Sequence, residues 1–306
     1  MIWLLRRHLA RLSFVFLACS VLWAGLARAA PVINVLVAEP AGIYQETANS
    51  LTQALGGEGW KVTVVTVTSP GRNPASGGDL TVAIGTKALE AALAQSGRPV
   101  LSLLVPQLTY ERLASARQQV SALYLDQPLT RQLRLLGLAL PGMKKAGVPL
   151  GPSSQGLQAA LQNAAKDSGI QVNSALINQS SDLYATLNDM AEDSQAFLLL
   201  PDPVAAQRSV LQNFFLQTYR LKKPVLAYSE PLVQSGALLA LYSTPVQLGE
   251  EAAAWIRESW SKGVFRLGEP RYPKRFTIGV NRTVARSLDI VLPSEAALTR
   301  QLEAMP

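Results

Sequence analysis

Polar side chains follow three apolar runs that are typical of β-strands, and these side chains could bind a small ligand. Thr86 follows one run, Asp202 follows a second, and Ser229 with Glu230 follows a third. Backbone amides at a helix N-terminus, together with a hydroxyl, bind a carboxylate, whereas a carboxylate binds an ammonium group. Thr86 and Asp202 have an equally strong alternative as helix N-caps, in the second case with Pro203 at the first helical position.

Three tyrosines lie near the same places in the chain and could form the walls of a pocket. The alternative for Tyr44, Tyr228 and Tyr242 is packing in the core with one hydrogen bond for each hydroxyl. Glu230 is the hardest of the polar residues to explain as a helix cap, so we expect it to contact the ligand. The predicted ligand-binding residues are Thr86, Tyr44, Asp202, Ser229, Glu230 and Tyr242.

The residue types that are missing restrict the chemistry further. The chain has one histidine, His8, and one cysteine, Cys19, both within its first 30 residues. Without that segment the chain has no Ser-His-Asp or Cys-His catalytic unit, no histidine or cysteine zinc site and no disulfide. No glycine-rich nucleotide motif follows a predicted strand, and no spacing indicates an acid/base carboxylate pair. We therefore expect a protein that is not an enzyme and that needs no metal or cofactor.

The net charge does not indicate a nucleic-acid partner. The formal charge is +7, but four of the 28 basic residues and none of the 21 acidic residues lie in residues 1–30. The rest of the chain is close to neutral, so we expect no nucleic-acid binding.

The N-terminus is typical of a secretory signal peptide. Arginines precede an apolar run at residues 12–26, and small residues follow up to Pro31. The run is shorter than the roughly 20 residues of a membrane-spanning helix. Residues 1–30 are therefore predicted to be a cleaved signal peptide that directs the protein to the periplasm. An uncleaved anchor and a lipoprotein modified at Cys19 are the alternatives.

The rest of the chain alternates short apolar runs with amphipathic stretches, which predicts an α/β fold. Valine and leucine dominate the runs without polar alternation, as in parallel strands covered on both faces. The predicted strands cover residues 33–38, 61–67, 80–84, 99–105, 121–125, 145–150, 170–176, 196–200, 224–228, 237–243 and 276–280. The predicted helices cover residues 44–55, 87–95, 130–138, 155–166, 181–190, 203–219, 245–261 and 282–288.

Two successive series of such units predict two Rossmann-like lobes with parallel central sheets. We assign residues 31–125 and about 237–270 to the N-terminal lobe. Residues 126–236 and about 271–306 are assigned to the C-terminal lobe, so the chain would pass between the lobes more than once. Ligands bind such sheets at the carboxyl ends of the strands, which is where the polar residues above lie.

Several segments resemble the substrate-binding proteins of ABC importers, in the branch that contains tryptophan- and tyrosine-binding proteins. The resemblance spans nearly the whole chain after residue 30. It is clearest at residues 82–86 (VAIGT), 198–202 (LLLPD), 223–230 (KPVLAYSE), 233–238 (VQSGAL) and 275–281 (RFTIGVN).

The resemblance implies a type 1 periplasmic-binding fold that carries a small, amino-acid-like molecule to an inner-membrane ABC permease, as a monomer. It places Thr86, Asp202, Ser229 and Glu230 on the cleft between the lobes. The chain departs from the family pattern at Lys87 and Pro203, and at residues 105–109 and 241–245. These departures motivate the alternative of an accessory or sensor protein that has the same fold, interacts with a receptor or kinase, and delivers no transport substrate.

Overall fold

The first half of the chain forms a parallel sheet from strands that are mostly buried. The computed structural model describes residues 30–57, 59–67, 77–95, 97–114, 117, 119–202 and 207–305. The first sheet has five strands in the order β2-β1-β3-β4-β5, and every neighbouring pair is parallel. Its strands are β1 (Val32–Val37), β2 (Lys61–Thr66), β3 (Leu80–Ile84), β4 (Val100–Leu103) and β5 (Val120–Leu123).

The second half forms a six-stranded sheet in the order β13-β10-β9-β8-β6-β7. Its pairings are parallel except that β13 runs antiparallel to β10. A separate two-stranded ribbon joins β11 to β12. The strands are β6 (Lys145–Leu150), β7 (Gln171–Leu176), β8 (Ala196–Leu198), β9 (Val225–Ala227), β10 (Leu239–Tyr242), β11 (Trp260–Ser261), β12 (Val264–Phe265) and β13 (Thr277–Val280). The predicted α/β class with two Rossmann-like lobes and parallel central sheets is confirmed.

Helices connect the strands and cover the sheets. Three of them, at Gln107–Ala114, Glu230–Ser235 and Glu295–Glu303, were not predicted, because each is short and its apolar pattern is weak over so few residues. The helices within the described residues are α1 (Gly42–Leu55), α2 (Thr86–Leu93), α3 (Gln107–Ala114), α4 (Leu129–Ala139), α5 (Gln158–Ser168), α6 (Leu183–Asp193), α7 (Arg208–Arg220), α8 (Glu230–Ser235), α9 (Pro245–Ser259), α10 (Arg282–Ser287) and α11 (Glu295–Glu303).

The strand near residue 240 corrects one predicted lobe boundary. We assigned residues from about 237 onward to the first lobe, but β10 pairs with β9 and β13 in the second sheet. The return to the first lobe comes after it, at α9, whose Leu248, Trp255 and Ile256 share a core cluster with Val35 of β1. The register of β10 with β9 decides this, because residue types alone do not show which sheet a buried strand joins.

Three segments of chain connect the lobes: between β5 and α4, between β10 and α9, and between β12 and β13. Side chains bond these segments to one another. Gln127 Nε2 donates to Ser243 Oγ at 2.8 Å, and Ser243 Oγ donates to the Arg275 carbonyl at 2.6 Å. Arg131 donates to Gln127 Oε1 at 2.6 Å and to the Pro273 carbonyl at 3.0 Å. The three connecting segments are therefore held to one another by hydrogen bonds, and together they form the hinge between the lobes.

The predicted leader lies, up to residue 29, outside the described residues. Across the described ranges, no helix has the length and apolar character needed to cross a bilayer.

Candidate functional site

The carboxyl ends of the two sheets meet beside the hinge. Leu108, which follows β4, packs against the core cluster of the second lobe. Tyr228 follows β9 of the second sheet. Burial, then the charge of Asp202 and then that of Asp126, which follows β5 of the first sheet, raise the pKa of Tyr228. Residues from both lobes therefore converge where parallel sheets bind ligands.

Thr86 and Tyr44 lie together on the first lobe. Gly85 is the N-cap of α2 with a φ of 93°, and a Cβ on it would lie 2.7 Å from Cε1 of Tyr44. The Tyr44 ring therefore lies against the start of α2, and burial, followed by the charge of Glu39, raises the pKa of its hydroxyl. Thr86 is the first residue inside the helix and is partly exposed. Because Gly85 is the N-cap, the alternative interpretation of Thr86 as the N-cap is wrong. Lys87, the departure from the family pattern, lies 3.9 Å from Glu39 in an exposed ion pair.

Asp202 is almost fully buried and organises a loop of its own lobe. It is 3% exposed, and its Oδ2 accepts the backbone N–H of Ser154 at 2.9 Å. Ser154 Oγ in turn accepts the N–H of Gly151 at 2.8 Å. The carboxyl of Asp202 thus holds the loop after β6, here called the β6 loop (residues 151–157). Its alternative as a helix cap involves residues 203–206, which lie outside the described residues.

Ser229, Glu230 and Tyr242 form a second group on the second lobe. Ser229 is the N-cap of α8, but its hydroxyl accepts no capping hydrogen bond. Glu230 is exposed, and it accepts a hydrogen bond from the hydroxyl of Tyr242. Burial, then the charge of Glu230 and this hydrogen bond raise the pKa of Tyr242. The structure therefore pairs two of the predicted site residues directly.

A network at the hinge contains residues that the sequence did not predict as a site. Asp126 Oδ2 accepts the backbone N–H of Gln107 at 2.6 Å, and Gln107 Oε1 accepts a hydrogen bond from the hydroxyl of Tyr272. Gln107 Nε2 donates to Glu111 at 2.8 Å. Burial raises the pKa of Asp126 to about 6, and the bond from Gln107 opposes this rise. A carboxylate is therefore held in a poorly solvated position between the lobes.

Tyr228 lies close enough to two carboxylates for both to affect its ionisation. Burial raises the pKa of its hydroxyl to about 12, and the charges of Asp202 and then Asp126 add to the increase. Tyr228 is partly exposed. The hydroxyl therefore stays protonated and can donate or accept a hydrogen bond in a region of negative potential.

Aromatic rings extend this region into the first lobe. The ring centroids of Tyr124 and Tyr272 are 5.2 Å apart, and those of Tyr110 and Tyr124 are 5.8 Å apart, both edge to face. Burial raises the pKa of Tyr110 and of Tyr272 to about 12. Tyr110 and Tyr124 are buried in the core of the first lobe, and Tyr272 packs against that core next to Gln107.

The sequence contains a feature from which Asp126 could have been predicted as a site residue, but it contains none for Tyr272. Asp126 comes three residues after β5, and reading strand ends for polar side chains would have found it. Tyr272 lies in an irregular segment next to Arg271, which bridges to Leu123 of β5. Only the folded chain shows that this segment reaches the first sheet.

Two cavities lie beside α4 of the second lobe, and one of them is also lined by Pro128, Arg131 and Lys274 at the hinge. Their volumes are about 470 and 480 Å³, and both are lined by Arg134, Asp167 and Met305. None of the predicted site residues lines either cavity.

The arrangement at the hinge is suited to non-covalent binding. Asp126 of the hinge and Asp202 of the second lobe both lie near Tyr228, and α2 begins directly after β3, at the carboxyl end of the first sheet. Such groups bind a small molecule that has both charges and an apolar part.

Comparison with known proteins identifies the family to which this chain belongs. The family model described as ABC transporter substrate binding protein matches residues 75–301. The chain therefore belongs to the ABC transporter substrate-binding protein family, and the predicted resemblance is confirmed. No curated protein matches the chain.

Solved structures of the same fold cover most of the chain. A conserved domain protein from Vibrio cholerae is 24% identical, with a TM-score of 0.62, over 89% of this chain and 98% of its own. A substrate-binding protein with adhesive properties from Clostridium difficile, in a ligand-free, open structure, is 20% identical, with a TM-score of 0.66, over 86% and 96%. An ABC domain from Streptococcus pneumonia in complex with L-Trp is 17% identical, with a TM-score of 0.62, over 89% and 98%.

Proposed function

We propose that this protein binds a small, amino-acid-like molecule between its two lobes and delivers it to an inner-membrane ABC permease. It does so in the periplasm, after removal of residues 1–30. The observation that carries the proposal is the position of Tyr228, at the carboxyl end of β9, where burial, then the charge of Asp202 in the second lobe and then that of Asp126 at the hinge, raise the pKa of its hydroxyl. Family membership supplies the transport context.

An amino acid would satisfy the groups that the site presents. Its ammonium group is attracted by Asp126 and Glu230, and its carboxylate by the backbone N–H groups at Thr86. Tyr44 and Tyr242 lie beside these groups and would contact an apolar side chain. The relative from Streptococcus pneumonia that binds L-Trp supports this class of ligand.

Binding would act through closure of the lobes. A ligand that contacts both lobes has a higher affinity for the closed form, and it shifts the equilibrium by that difference in affinity. The chain need supply no covalent chemistry for this role, and we propose that it is a monomer without enzymatic activity.

Thermal unfolding of the purified protein with each of the common amino acids tests the proposal. We expect one or a few of them to raise the melting temperature in a concentration-dependent way, because a ligand that binds only the native state stabilises it. Asp126→Ala should abolish the increase, whereas Asp189→Ala, at an exposed position of α6, should not. No increase with any amino acid, and no small molecule in the mass spectrum of the purified protein, would contradict it.

The second candidate is an accessory or sensor protein of the same fold that interacts with a receptor or kinase. The bonding of Asp202 to its own β6 loop favours it, since that carboxylate is less available to a ligand. The genes beside this one distinguish the candidates, because a permease and an ATPase indicate import and a receptor or kinase indicates signalling.

A further inference from the structure

One of the two cavities beside α4 is bounded by the hinge. It is lined by Pro128, between β5 and α4, and by Lys274, between β12 and β13. Arg131 and Arg134 of α4 and Leu302 of α11 also line it. Its volume of about 470 Å³ is within the range of sites that hold small molecules. None of the residues predicted to bind the ligand lines it, so this cavity is separate from the proposed ligand site.

Arg131 is held at this cavity by neutral groups. Its Nη1 donates to Gln127 Oε1 at 2.6 Å and to the Pro273 carbonyl at 3.0 Å, and its guanidinium carbon lies 5.0 Å from the centroid of the Phe276 ring. A guanidinium has five N–H donors, and both of these bonds come from one nitrogen. Within the described part of the chain, Nε and Nη2 of Arg131 donate to no protein atom. Three N–H groups of a positioned arginine can therefore bond to a molecule in the cavity.

The charge of Arg131 is compensated only in part. Burial lowers the pKa of this half-buried guanidinium, and the charge of Glu251 opposes the decrease without cancelling it. The carboxyl of Glu251 bonds elsewhere, since both of its oxygens accept the backbone N–H of Lys274 at 3.1 Å. Among the residues that the structure describes, no carboxylate forms an ion pair with Arg131. A partly desolvated cation without an ion-pair partner is stabilised by an anion that binds next to it.

Two further cations line the cavity. Lys274 is exposed, and its ammonium group has no hydrogen bond or ion pair to any other described residue. Arg134 is half-buried. Two carboxylates, Asp167 and Glu303, also line the cavity and reduce its net positive charge. Three cations against two carboxylates attract a single anionic group more than a polyanion.

We propose that this cavity is a second binding site, for a small molecule that carries one carboxylate or phosphate group. The anionic group binds Arg131 and Lys274, and the rest of the molecule lies against Phe276 and Leu302, which also line the cavity. The planar fork of a guanidinium fits the oxygens of either anion, and the lysine adds positive charge. This proposal does not depend on which ligand binds between the lobes.

Isothermal titration calorimetry of the purified protein with benzoate and with inorganic phosphate, at constant ionic strength, tests the proposal. Benzoate carries a carboxylate on an apolar ring, whereas phosphate supplies the other anionic group alone. We expect saturable binding of at least one of them, with one site per chain. Binding of benzoate alone indicates a carboxylate ligand, and binding of phosphate alone indicates a phosphate ligand.

Changes at the cations should weaken this binding. Lys274→Gln should raise the Kd about three- to fivefold, the effect of losing an exposed ion pair. Arg275→Gln is the matched control, because Arg275 is the exposed neighbour, pairs with Glu250 and does not line the cavity. Arg131→Lys keeps the positive charge and loses the fork of N–H donors, so we expect the Kd to rise about tenfold.

Removal of a carboxylate should have the opposite effect. Asp167→Asn should lower the Kd about two- to threefold, whereas Asp189→Asn, the same change of charge on the exposed side of α6, should not. No saturable binding of either anion, or equal affinities of Lys274→Gln and Arg275→Gln, would show that the cavity is not an anion site. If Arg131→Lys fails to fold, Lys274→Gln and Asp167→Asn decide the question, since both change exposed side chains.

Discussion

Gly151 lies directly under the carboxyl group of Asp202, so close that a Cβ on the glycine would be 2.2 Å from Oδ1 of the aspartate. The two residues follow β6 and β8, which are neighbours in the second sheet. The glycine thereby leaves room for the carboxylate that accepts the Ser154 N–H.

Gly151→Ala should therefore displace the carboxyl of Asp202 and break its bond to Ser154. We expect the free energy of unfolding to fall by about 1–3 kcal/mol, the cost of leaving a buried polar group without its partner. Urea denaturation measures this loss. Gly156→Ala in the same loop is the control, because its Cβ would have an ordinary contact at 3.8 Å. Equal stability of the two variants would contradict the proposed role of Asp202.

Stability should depend on pH through Asp126. Its pKa is raised to about 6 in the folded protein, above the value of about 4 in an unfolded chain. Between these values the folded state binds more protons, so the free energy of unfolding decreases as the pH rises from about 4 to about 6.

Asp126→Asn removes this dependence and still offers an oxygen to the Gln107 N–H. We expect the variant to be more stable than the original protein above pH 6, by about 1–3 kcal/mol, and similar to it near pH 4. Melting temperatures from pH 4 to 8 give the comparison, and Asp189→Asn at an exposed position controls for net charge. A constant difference across this range would show that Asp126 is not the titrating group.

Glu230 should contribute to ligand affinity through its charge. Glu230→Gln keeps an acceptor for the Tyr242 hydroxyl and loses the negative charge that attracts an ammonium group. We expect Kd to increase about tenfold, which corresponds to roughly 1.4 kcal/mol. Isothermal titration calorimetry with the amino acid found by thermal unfolding measures it. Glu192→Gln, exposed on α6, should bind as before, and equal affinities in both variants would remove Glu230 from the site.

The return of the chain to the first lobe depends on a close approach between α1 and α9. A Cβ on Gly249 would lie 2.6 Å from Ser50 Cβ and 2.7 Å from the backbone nitrogen of Leu51. Gly249→Ala should therefore push the helices apart and lower the free energy of unfolding by about 1–3 kcal/mol. Thermal or urea unfolding detects this, with Gly268→Ala, which has open space around it, as the control. Equal stability of Gly249→Ala and Gly268→Ala would show that α1 and α9 do not pack closely at Gly249.

The sequence by itself determined the class of the fold and the order of most of its elements. Buried runs such as 80–84 and 145–150 have the apolar composition of parallel strands, and β3 and β6 have these same bounds. These predictions depend on local patterns, and the α/β alternation with its family motifs is readable from neighbouring residues alone. The same is true of Thr86 and Glu230, which begin helices that follow strands.

Only the tertiary structure decided which strand ends and connecting segments lie next to one another. Asp126, Gln107 and Tyr272 are far apart in the chain, and they come together because three segments connect the lobes. Residue types likewise do not show that β10 joins the second sheet or that Asp202 bonds to its own loop. Pairing between distant strands and the burial of a carboxylate depend on contacts between residues that are remote in sequence, which no local pattern records.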